Sequence, residues 1–406
     1  MQTNISNKYR TTSAGREADE ILRSCVHCGF CLAACPTYQL LGDELDSPRG
    51  RIYLIKQILE GNAATEKTQL HLDRCLTCRS CETTCPSGVR YGRLVDIGRE
   101  LIEREVGRSS LQSIKRSLLR SIVPFPKRFS AMIGAMRLIR PLLPAPVRQK
   151  LPARQTVHTR PRQKHQRRML VLEGCAQSVV TPRTNSAAAQ VLDKLGIELL
   201  SAAGAGCCGA LSYHLAATGD ALNFMRRNID AWWPYVGEGI EAIVVTASGC
   251  GVVVKEYGEL LKHDDKYALK AKRISELTRD ISEIIRTEGL MRLKLKPQNK
   301  HIAFQNPCTL QHGLKLEGVV EDILIKAGFN LVEVEDAHLC CGSAGSYSIL
   351  QPEISQQLLA NKLTALQKNK PDVIVTANVG CQLYLATGAG QPVKHWIELI
   401  DDSATV

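Results

Sequence analysis

One cysteine pattern occurs twice near the start of this chain. Each copy reads C-x2-C-x2-C-x3-C-P, and the copies lie 50 residues apart at all four cysteines, which are Cys25, Cys28, Cys31 and Cys35, then Cys75, Cys78, Cys81 and Cys85. Three thiolates at every third position converge on one inorganic cluster, while the fourth, before proline, reaches the neighbouring cluster. Structural zinc would favour four ligands in two C-x2-4-C pairs. The pattern therefore predicts a pair of 4Fe-4S clusters and a chain that carries electrons.

The same rule gives each cluster three cysteines from one run and the last cysteine of the other. The expected ligand sets are Cys25, Cys28, Cys31 and Cys85 for cluster 1, and Cys75, Cys78, Cys81 and Cys35 for cluster 2. His27 and Arg79 also lie inside the runs. They are either ordinary surface neighbours of the clusters or groups whose charge and hydrogen bonds tune the reduction potentials.

Two helical stretches accompany the runs. Apolar residues over 52–59 have a spacing that suits a helix ending at Gly61, and residues 93–104 also favour a helix. These helices, together with the 50-residue period, favour a helical ferredoxin domain over residues 17–106 rather than the compact β form.

The composition places these cysteines in a reducing compartment. The 406 residues are 44% hydrophobic, which is enough for two or three cores. Sixteen cysteines would suggest disulfides in a short secreted chain, but no charged and apolar leader follows Met1, so metal-bound thiolates in the cytoplasm fit better. No run approaches the roughly 18 apolar residues of a membrane-spanning helix, so we expect no transmembrane segment.

The net charge of +12 comes from one segment. Sixteen Lys and Arg residues and no acidic residue lie between Arg108 and Arg168, which leaves 36 basic against 40 acidic residues elsewhere. Residues 107–168 also contain seven prolines, which limit helices to short pieces. The best candidate is an amphipathic piece over 128–139. Three alternatives remain open for it: contact with anionic lipid, docking on a partner subunit, or a solvated linker.

The remaining residues contain a second repeat. A strand ending in cysteine, a Cys-Cys-Gly motif and a further strand running into cysteine occur over 169–295 and again over 296–402, with offsets of 131 to 133 residues. Strands alternating with helices predict two duplicated α/β domains with parallel sheets. Because ligands gather beyond the carboxyl ends of such strands, an additional redox or metal site is expected in each half, formed by Cys175, Cys207, Cys208 and Cys250, and by Cys308, Cys340, Cys341 and Cys381.

Other motifs in this half carry less weight. Residues 204–209 match G-x-G-x-x-G, but the second repeat keeps only the cysteine pair and its glycine, so we reject a dinucleotide site. His312 and His338 lie near the cysteines as ligands, acid-base groups or structural residues. We find no paired carboxylates, Ser-His-Asp array or phosphate loop, and we assign no catalytic residue.

The motifs together resemble the iron-sulfur subunits of bacterial glycolate oxidase. The resemblance rests on CVHCGFC at 25–31, DELDSPRGR at 43–51, NIDAWWP at 228–234 and HWIE at 395–398. It implies a subunit that relays electrons from separate FAD-binding subunits, which oxidise glycolate and also D-lactate, to a membrane-surface or quinone-type acceptor. It also implies a cytoplasmic protein associated peripherally with the cytoplasmic side of the inner membrane.

Two other functions remain open. The cysteine-rich half is also similar to the cysteine-rich subunit of heterodisulfide reductase, which suggests a quinone or disulfide reductase with its own redox site. The extra cysteine of that pattern is replaced here by Val253 and Tyr384, which counts against disulfide chemistry. An iron-sulfur sensor that binds nucleic acid through the basic segment is the third function. Prolines interrupt that segment and few aromatic residues are available for base stacking, so we expect no nucleic-acid partner.

Overall fold

The computed structural model describes residues 1–144, 148, 151–296 and 298–404. Its N-terminal part consists of helices around an apolar core that includes Leu22, Ile55, Leu94 and Ile102. These helices are α1 Asn7–Arg10, α2 Ser13–Ser24, α3 Pro36–Leu41, α4 Pro48–Leu59, α5 Glu66–Asp73, α6 Ser80–Thr83 and α7 Tyr91–Val106, with a 3-10 turn at Glu44–Asp46.

The two helices predicted beside the cysteine runs are confirmed as α4 and α7. Helix α4 begins where the Ser47 hydroxyl accepts a hydrogen bond from the Gly50 amide at 3.0 Å, with Pro48 in its first turn. The chain leaves α4 through Gly61, whose φ of 97° favours glycine. Helix α7 crosses α4 closely, because a Cβ at Gly98 would lie 2.6 Å from the Ile55 side chain.

The basic segment contains two helices, one of which was predicted. It forms α8 Ser110–Ile122 and α9 Pro126–Leu138, followed by a 3-10 turn at Arg140–Leu142. The prolines lie at helix boundaries: Pro124 separates the two helices and Pro126 occupies the first turn of α9. The helix expected at 128–139 is α9, and α8 was not anticipated.

Two four-stranded sheets form the C-terminal part, and all their strand pairs are parallel. The strand orders are β2-β1-β3-β4 and β6-β5-β7-β8, so the two sheets share one topology. The strands are β1 Arg167–Val171, β2 Ile197–Ser201, β3 Ile243–Val245, β4 Thr278–Asp280, β5 His301–Gln305, β6 Asn330–Leu331, β7 Val373–Thr376 and β8 Val393–His395.

Helices connect these strands. In the first half they are α10 Gln177–Val180, α11 Pro182–Lys194, α12 Ala210–His214, α13 Thr218–Gly237, α14 Ser248–Lys255, α15 Tyr257–Leu260, α16 Ala268–Leu277 and α17 Ile281–Glu288, with a 3-10 turn at Met291–Leu293. In the second half they are α18 Val319–Lys326, α19 Tyr347–Leu350, α20 Pro352–Gln367, α21 Val379–Leu385 and α22 Trp396–Ser403, with a π-helical turn at Thr309–Gly313.

Both faces of each sheet are buried. In the first sheet, Val244 belongs to a core that also contains Phe304 and Val375 of the second sheet, whereas Ile243 belongs to a separate core with Trp232. Burial on both faces explains why these strands are continuously apolar rather than alternating. The shared core, together with the 2.7 Å contact between the Ser248 and Thr309 hydroxyls, holds the two halves together.

Among the residues that the structure describes, no helix is both long enough and apolar enough to span a membrane.

Candidate iron-sulfur site

The first cavity of the N-terminal part is lined by three cysteines of the first run and the last of the second. Its thiols are those of Cys25, Cys28, Cys31 and Cys85, with Cys81 at one wall. This is the grouping that the crosswise assignment of cluster 1 requires. Four thiols around one cavity match the donor set of a 4Fe-4S cluster, although ligation itself stays a prediction.

The second cavity contains the complementary set. It is lined by Cys35, Cys75, Cys78 and Cys81. Cys35 reaches it because Pro36 begins α3 directly after the first run, and the Cys35 thiol points to the Asp46 carbonyl at 3.8 Å. The geometry brings together the four thiols expected for cluster 2.

The backbone of the two runs bends in the same way. His27 and Thr77, which occupy equivalent positions 50 residues apart, have φ values of 56° and 54°. Gly29 and Arg79 are the next equivalent pair, with φ values of 86° and 61°. Left-handed conformations in side-chain-bearing residues are costly and concentrate at functional sites. They turn the successive cysteines of each run toward one cavity.

The two cavities differ in exposure. Cys28 is exposed beside the first cavity, and the neighbouring side chains of Val26 and Phe30 are 67% and 62% exposed. Burial raises the pKa of the Cys31 thiol to about 11. Burial also raises the pKa of Cys78 and Cys81 well above the ordinary value. Cys35, Cys75 and Cys81 at the second cavity are buried, whereas Cys25 is the one buried thiol of the cluster 1 set, so the second cavity is the more enclosed one.

Two buried residues that the cysteine spacing did not predict line the second cavity. The Tyr91 hydroxyl donates a hydrogen bond to the Cys75 thiol at 3.6 Å. Arg51 is 1% exposed, donates to the Thr37 hydroxyl at 3.1 Å and pairs with Asp46 at 3.2 Å. A donor and a cation at this position favour negatively charged sulfur. Neither residue could be predicted from the cysteine spacing, because Arg51 and Tyr91 lie in the first turns of helices α4 and α7 and belong to no ligand motif.

Asp46 and its neighbours resemble a cation site only at first sight. Oxygen and nitrogen ligands of Asp43, Asp46 and His71 lie within 4.8 Å of one another. The Asp46 carboxylate, however, already accepts from Arg51 at 3.2 Å and from Arg74 at 2.7 Å. These side chains therefore form an internal ion-pair network next to the second cavity.

Arg79 and His312 connect the cysteine runs to the sheets. Arg79 forms an ion pair with Glu256, which follows α14 in the first half. The Thr83 hydroxyl lies 3.0 Å from Nδ1 of His312 in the π-helical turn of the second half. His27 makes no comparable contact: its carbonyl accepts from Arg49 at 3.5 Å. His338 is exposed, and its carbonyl lies 3.4 Å from Nε2 of His312.

The cysteines of the sheets follow the carboxyl ends of the strands. In the first half, the neighbouring Cys207 thiol raises the pKa of Cys175, and Cys208 and Cys250 belong to one apolar cluster. In the second half, the Cys308 thiol lies 4.0 Å from that of Cys340, and Cys341 and Cys381 belong to one apolar cluster. None of the sixteen cysteines forms a disulfide. We refer below to the first group (Cys175, Cys207, Cys208, Cys250) and the second group (Cys308, Cys340, Cys341, Cys381).

The apolar face of α9 packs against helices α10 and α21 of the cysteine-rich half. Ile133 is buried, and Phe129, Met132 and Met136 pack with it against Val180, Val379 and Leu383 of the cysteine-rich half. None of the three alternatives for this helix describes that contact. The unpartnered apolar stripe lies instead on α8, where Leu111, Ile114 and Leu118 are 63%, 63% and 57% exposed.

Comparisons with known proteins agree with this arrangement. Residues 21–89 match the family model of the 4Fe-4S dicluster domain, and residues 169–255 and 302–386 both match that of the cysteine-rich domain. The chain is 55% identical over 405 residues to the glycolate oxidase iron-sulfur subunit of Escherichia coli, covering 99% of each chain. This protein belongs to the family of glycolate oxidase iron-sulfur subunits.

More distant members of the comparison share part of this architecture. Lactate utilization protein A of Bacillus velezensis is 28% identical over 216 residues, which cover 51% of this chain and 85% of that protein. The crystal structure of a hypothetical protein from Helicobacter pylori superposes on this chain with a TM-score of 0.53 at 10% sequence identity. The superposition covers 98% of this chain and 73% of that chain. The structural likeness concerns the fold alone.

Proposed function

We propose that this chain is the electron-transfer subunit of a multisubunit complex that oxidises glycolate to glyoxylate, with D-lactate as a second substrate. The observation that carries the proposal is the pair of neighbouring cavities, each lined by thiols from both cysteine runs. The Escherichia coli relative supports glycolate as the substrate of the complex, and the lactate utilization relative supports lactate.

The cofactors of the proposal are two 4Fe-4S clusters in a helical ferredoxin domain. Cys25, Cys28, Cys31 and Cys85 would hold one, and Cys75, Cys78, Cys81 and Cys35 the other. The clusters supply one-electron carriers, while the chain positions the thiols and tunes the potentials through residues such as Tyr91 and Arg51. We retain the domain limits 17–106, 107–168, 169–295 and 296–402 as part of this proposal.

Electrons would enter at cluster 1. Its cavity lies nearer the surface, and exposed Val26 and Phe30 beside it offer an apolar contact of the kind found at the centre of protein interfaces. We infer that the FAD-binding subunits dock there. Cluster 2, which is more enclosed and contacts the cysteine-rich half, would then be the next carrier along the route.

The acceptor would be reached at a membrane surface. The exposed stripe of α8 lies in the segment of sixteen basic and no acidic residues, a combination that suits an anionic lipid surface. This supports peripheral association with the cytoplasmic side of the inner membrane and delivery to a membrane-surface or quinone-type acceptor.

The first and second groups would provide additional redox or metal sites. Val253 and Tyr384, which replace the extra cysteines of the heterodisulfide reductase pattern, are buried, and the Tyr384 hydroxyl accepts from Ser355 at 2.6 Å. Because these side chains occupy the positions of the missing thiols, we favour electron relay over a disulfide-reducing enzyme.

Replacement of Cys78 by serine tests the relay. In the assembled complex, Cys78→Ser should abolish glycolate-driven reduction of an external acceptor, while flavin reduction by glycolate continues. The matched control is Cys250→Ser, which removes a thiol of the first group and should leave the EPR signals of both ferredoxin-type clusters. Acceptor reduction at the wild-type rate in Cys78→Ser would refute the relay.

A further inference from the structure

Arg99 of α7 holds the first turn of the second cysteine run. It is 8% exposed, and its guanidinium donates to the backbone carbonyls of Leu72 at 3.0 Å and Cys75 at 2.5 Å. It also donates to the Thr77 hydroxyl at 2.9 Å. Thr77 has a φ of 54°, a conformation that costs free energy in a residue with a side chain. One guanidinium therefore joins the end of α5 to the turn that presents Cys75 and Cys78.

The acceptors of Arg99 are all neutral. The Asp96 carboxylate, one turn earlier on α7, lies 3.3 Å from Nδ1 of His214, and Asp73 pairs with two other arginines. In the parts of the chain that the structure describes, Arg99 itself has no ion pair. A buried cation with only neutral acceptors is costly unless negative charge lies close by. The thiolates of cluster 2 would supply that charge.

The other arginines around cluster 2 have carboxylate partners. Arg51 and Arg74 both pair with Asp46, and Arg79 pairs with Glu256. Arg99 differs from all three because no carboxylate pairs with it. Its positive charge therefore acts on the cluster without a carboxylate in contact to offset it.

Arg49 is the equivalent residue of the first run. It precedes Arg99 by 50 residues, the period of the cysteines, and its guanidinium donates to the His27 carbonyl at 3.5 Å. His27 is the equivalent of Thr77 and has a φ of 56°. Arg49, however, forms an ion pair with Glu44 at 2.8 Å, and its side chain is 33% exposed. The two runs therefore share an arginine at the same turn but differ in whether a carboxylate compensates its charge.

The backbone carbonyls of the first run have a different donor. Those of Leu22 and Cys25, which are equivalent to those of Leu72 and Cys75, accept hydrogen bonds from the Met1 nitrogen at 3.5 Å and 2.6 Å. Both pairs of carbonyls are thus held, but only in the second run does a side chain hold them. The second run consequently combines in one guanidinium two tasks that are separate in the first.

We propose that Arg99 is a positioning residue for cluster 2 and also its fixed counter-charge, so that it raises the reduction potential of that cluster. Arg49 is the charge-compensated counterpart at cluster 1. The inference rests on the proposed relay function. One electron leaves cluster 1 and enters cluster 2; no bond forms or breaks, and no proton moves. The Arg99 charge stabilises the reduced, more negative cluster 2, which favours electron transfer in this direction.

Variants of Arg99 that remove or keep its charge test this role in the anaerobically purified, full-length chain. Arg99→Gln keeps an amide donor for the turn but removes the charge, and it should lower one of the two midpoint potentials in an EPR-monitored redox titration. Arg99→Lys should restore most of the shift. Both variants are compared at the iron content of the wild type. Two unchanged potentials in Arg99→Gln, or a potential equally low in Arg99→Lys, would overturn the inference.

Glu44→Gln makes the opposite change at the first run. It leaves Arg49 without its carboxylate partner and should raise the other midpoint potential, whereas Arg49→Gln should lower that potential by less than Arg99→Gln lowers its own. A damaged fold would not raise one potential selectively, so Glu44→Gln decides the question if Arg99→Gln loads too little iron. An unchanged or lowered potential in Glu44→Gln would contradict a charge role for these arginines.

Reduction by glycolate separates this inference from the relay. If glycolate reduces both clusters in the wild-type complex while Arg99→Gln, with the wild-type iron content, keeps both potentials, the inference fails and the relay stands. If glycolate reduces neither cluster of the assembled wild-type complex, the relay itself fails.

Discussion

The Tyr91 hydroxyl lies 3.6 Å from the Cys75 sulfur and donates a hydrogen bond to it. Tyr91 is 4% exposed, and burial raises its pKa well above the ordinary value, so the hydroxyl keeps its proton at neutral pH. A donor to a cluster sulfur stabilises the reduced, more negative state. With Cys75 as a ligand of cluster 2, as proposed, this contact would make Tyr91 a tuning residue for that cluster.

Tyr91→Phe should therefore lower the midpoint potential of one of the two clusters by tens of millivolts, since one hydrogen bond contributes about 1 kcal/mol. An EPR-monitored redox titration measures the shift. The control is Tyr53→Phe, which alters a tyrosine that is 48% exposed on the neighbouring helix α4 and should change neither potential. If Tyr91→Phe keeps both wild-type midpoint potentials, as Tyr53→Phe is expected to, the contact has no influence on the cluster.

Phe30→Asp should weaken docking of the flavoprotein. Phe30 is 62% exposed beside the first cavity, and truncating a central aromatic anchor costs about 2 kcal/mol or more at protein interfaces. We expect the affinity for the FAD-binding subunits, measured by calorimetry or co-purification, to fall by at least about tenfold. The control variant Met291→Asp places the same charge at a remote residue that is 96% exposed. This variant should bind the FAD-binding subunits with wild-type affinity. Equal binding by all three proteins would place the docking surface elsewhere.

Replacing Leu111, Ile114 and Leu118 by serine should reduce binding to anionic vesicles several-fold. These side chains form one stripe along α8, and apolar insertion adds to the electrostatic attraction of the basic segment. Sedimentation with phosphatidylserine-containing vesicles measures the effect. Leu269, which is 85% exposed outside the segment, provides the control as Leu269→Ser. Retention of full binding by the triple variant would mean that α8 does not contact lipid.

The pH dependence of stability should include a term from His395. This residue is 1% exposed, and burial lowers its pKa to about 3, whereas the unfolded chain has the ordinary value of about 6.5. Below pH 6.5 the unfolded state binds a proton that the folded state does not, so stability is lost as the pH falls from 6.5 toward 3. The slope from one such group is at most about 1.4 kcal/mol per pH unit.

In the wild type, Nδ1 of His395 accepts a hydrogen bond from the Ile397 amide at 3.3 Å. His395→Asn retains an acceptor for that amide. The variant should show a shallower decline of the urea unfolding free energy between pH 7 and about 5 than the wild type, whatever its stability at pH 7. His263→Asn changes an exposed histidine and should keep the wild-type slope. Identical slopes for His395→Asn and the wild type would contradict the assigned pKa.

Local patterns predicted the elements that carry the thiols. The strands before Cys175 and Cys308 could be predicted because continuous apolar runs are typical of sheets that are buried on both faces. The observed strands are β1 and β5. Helix α8 was not predicted because the seven prolines suggested short helices throughout the segment, whereas residues 110–122 contain no proline. Packing of α9 on helices α10 and α21 was also beyond local patterns, since Ile133 meets residues far away in the chain.

The sequence by itself determined which residues can bind iron, because cluster ligation needs thiols at fixed spacing and that spacing is a local property. It also determined the alternation of strands and helices in the cysteine-rich half. Only the tertiary structure decided which thiols have a buried cation beside them. Arg51 and Tyr91 act through space, and their positions depend on how the helices cross and pack around the cysteine runs.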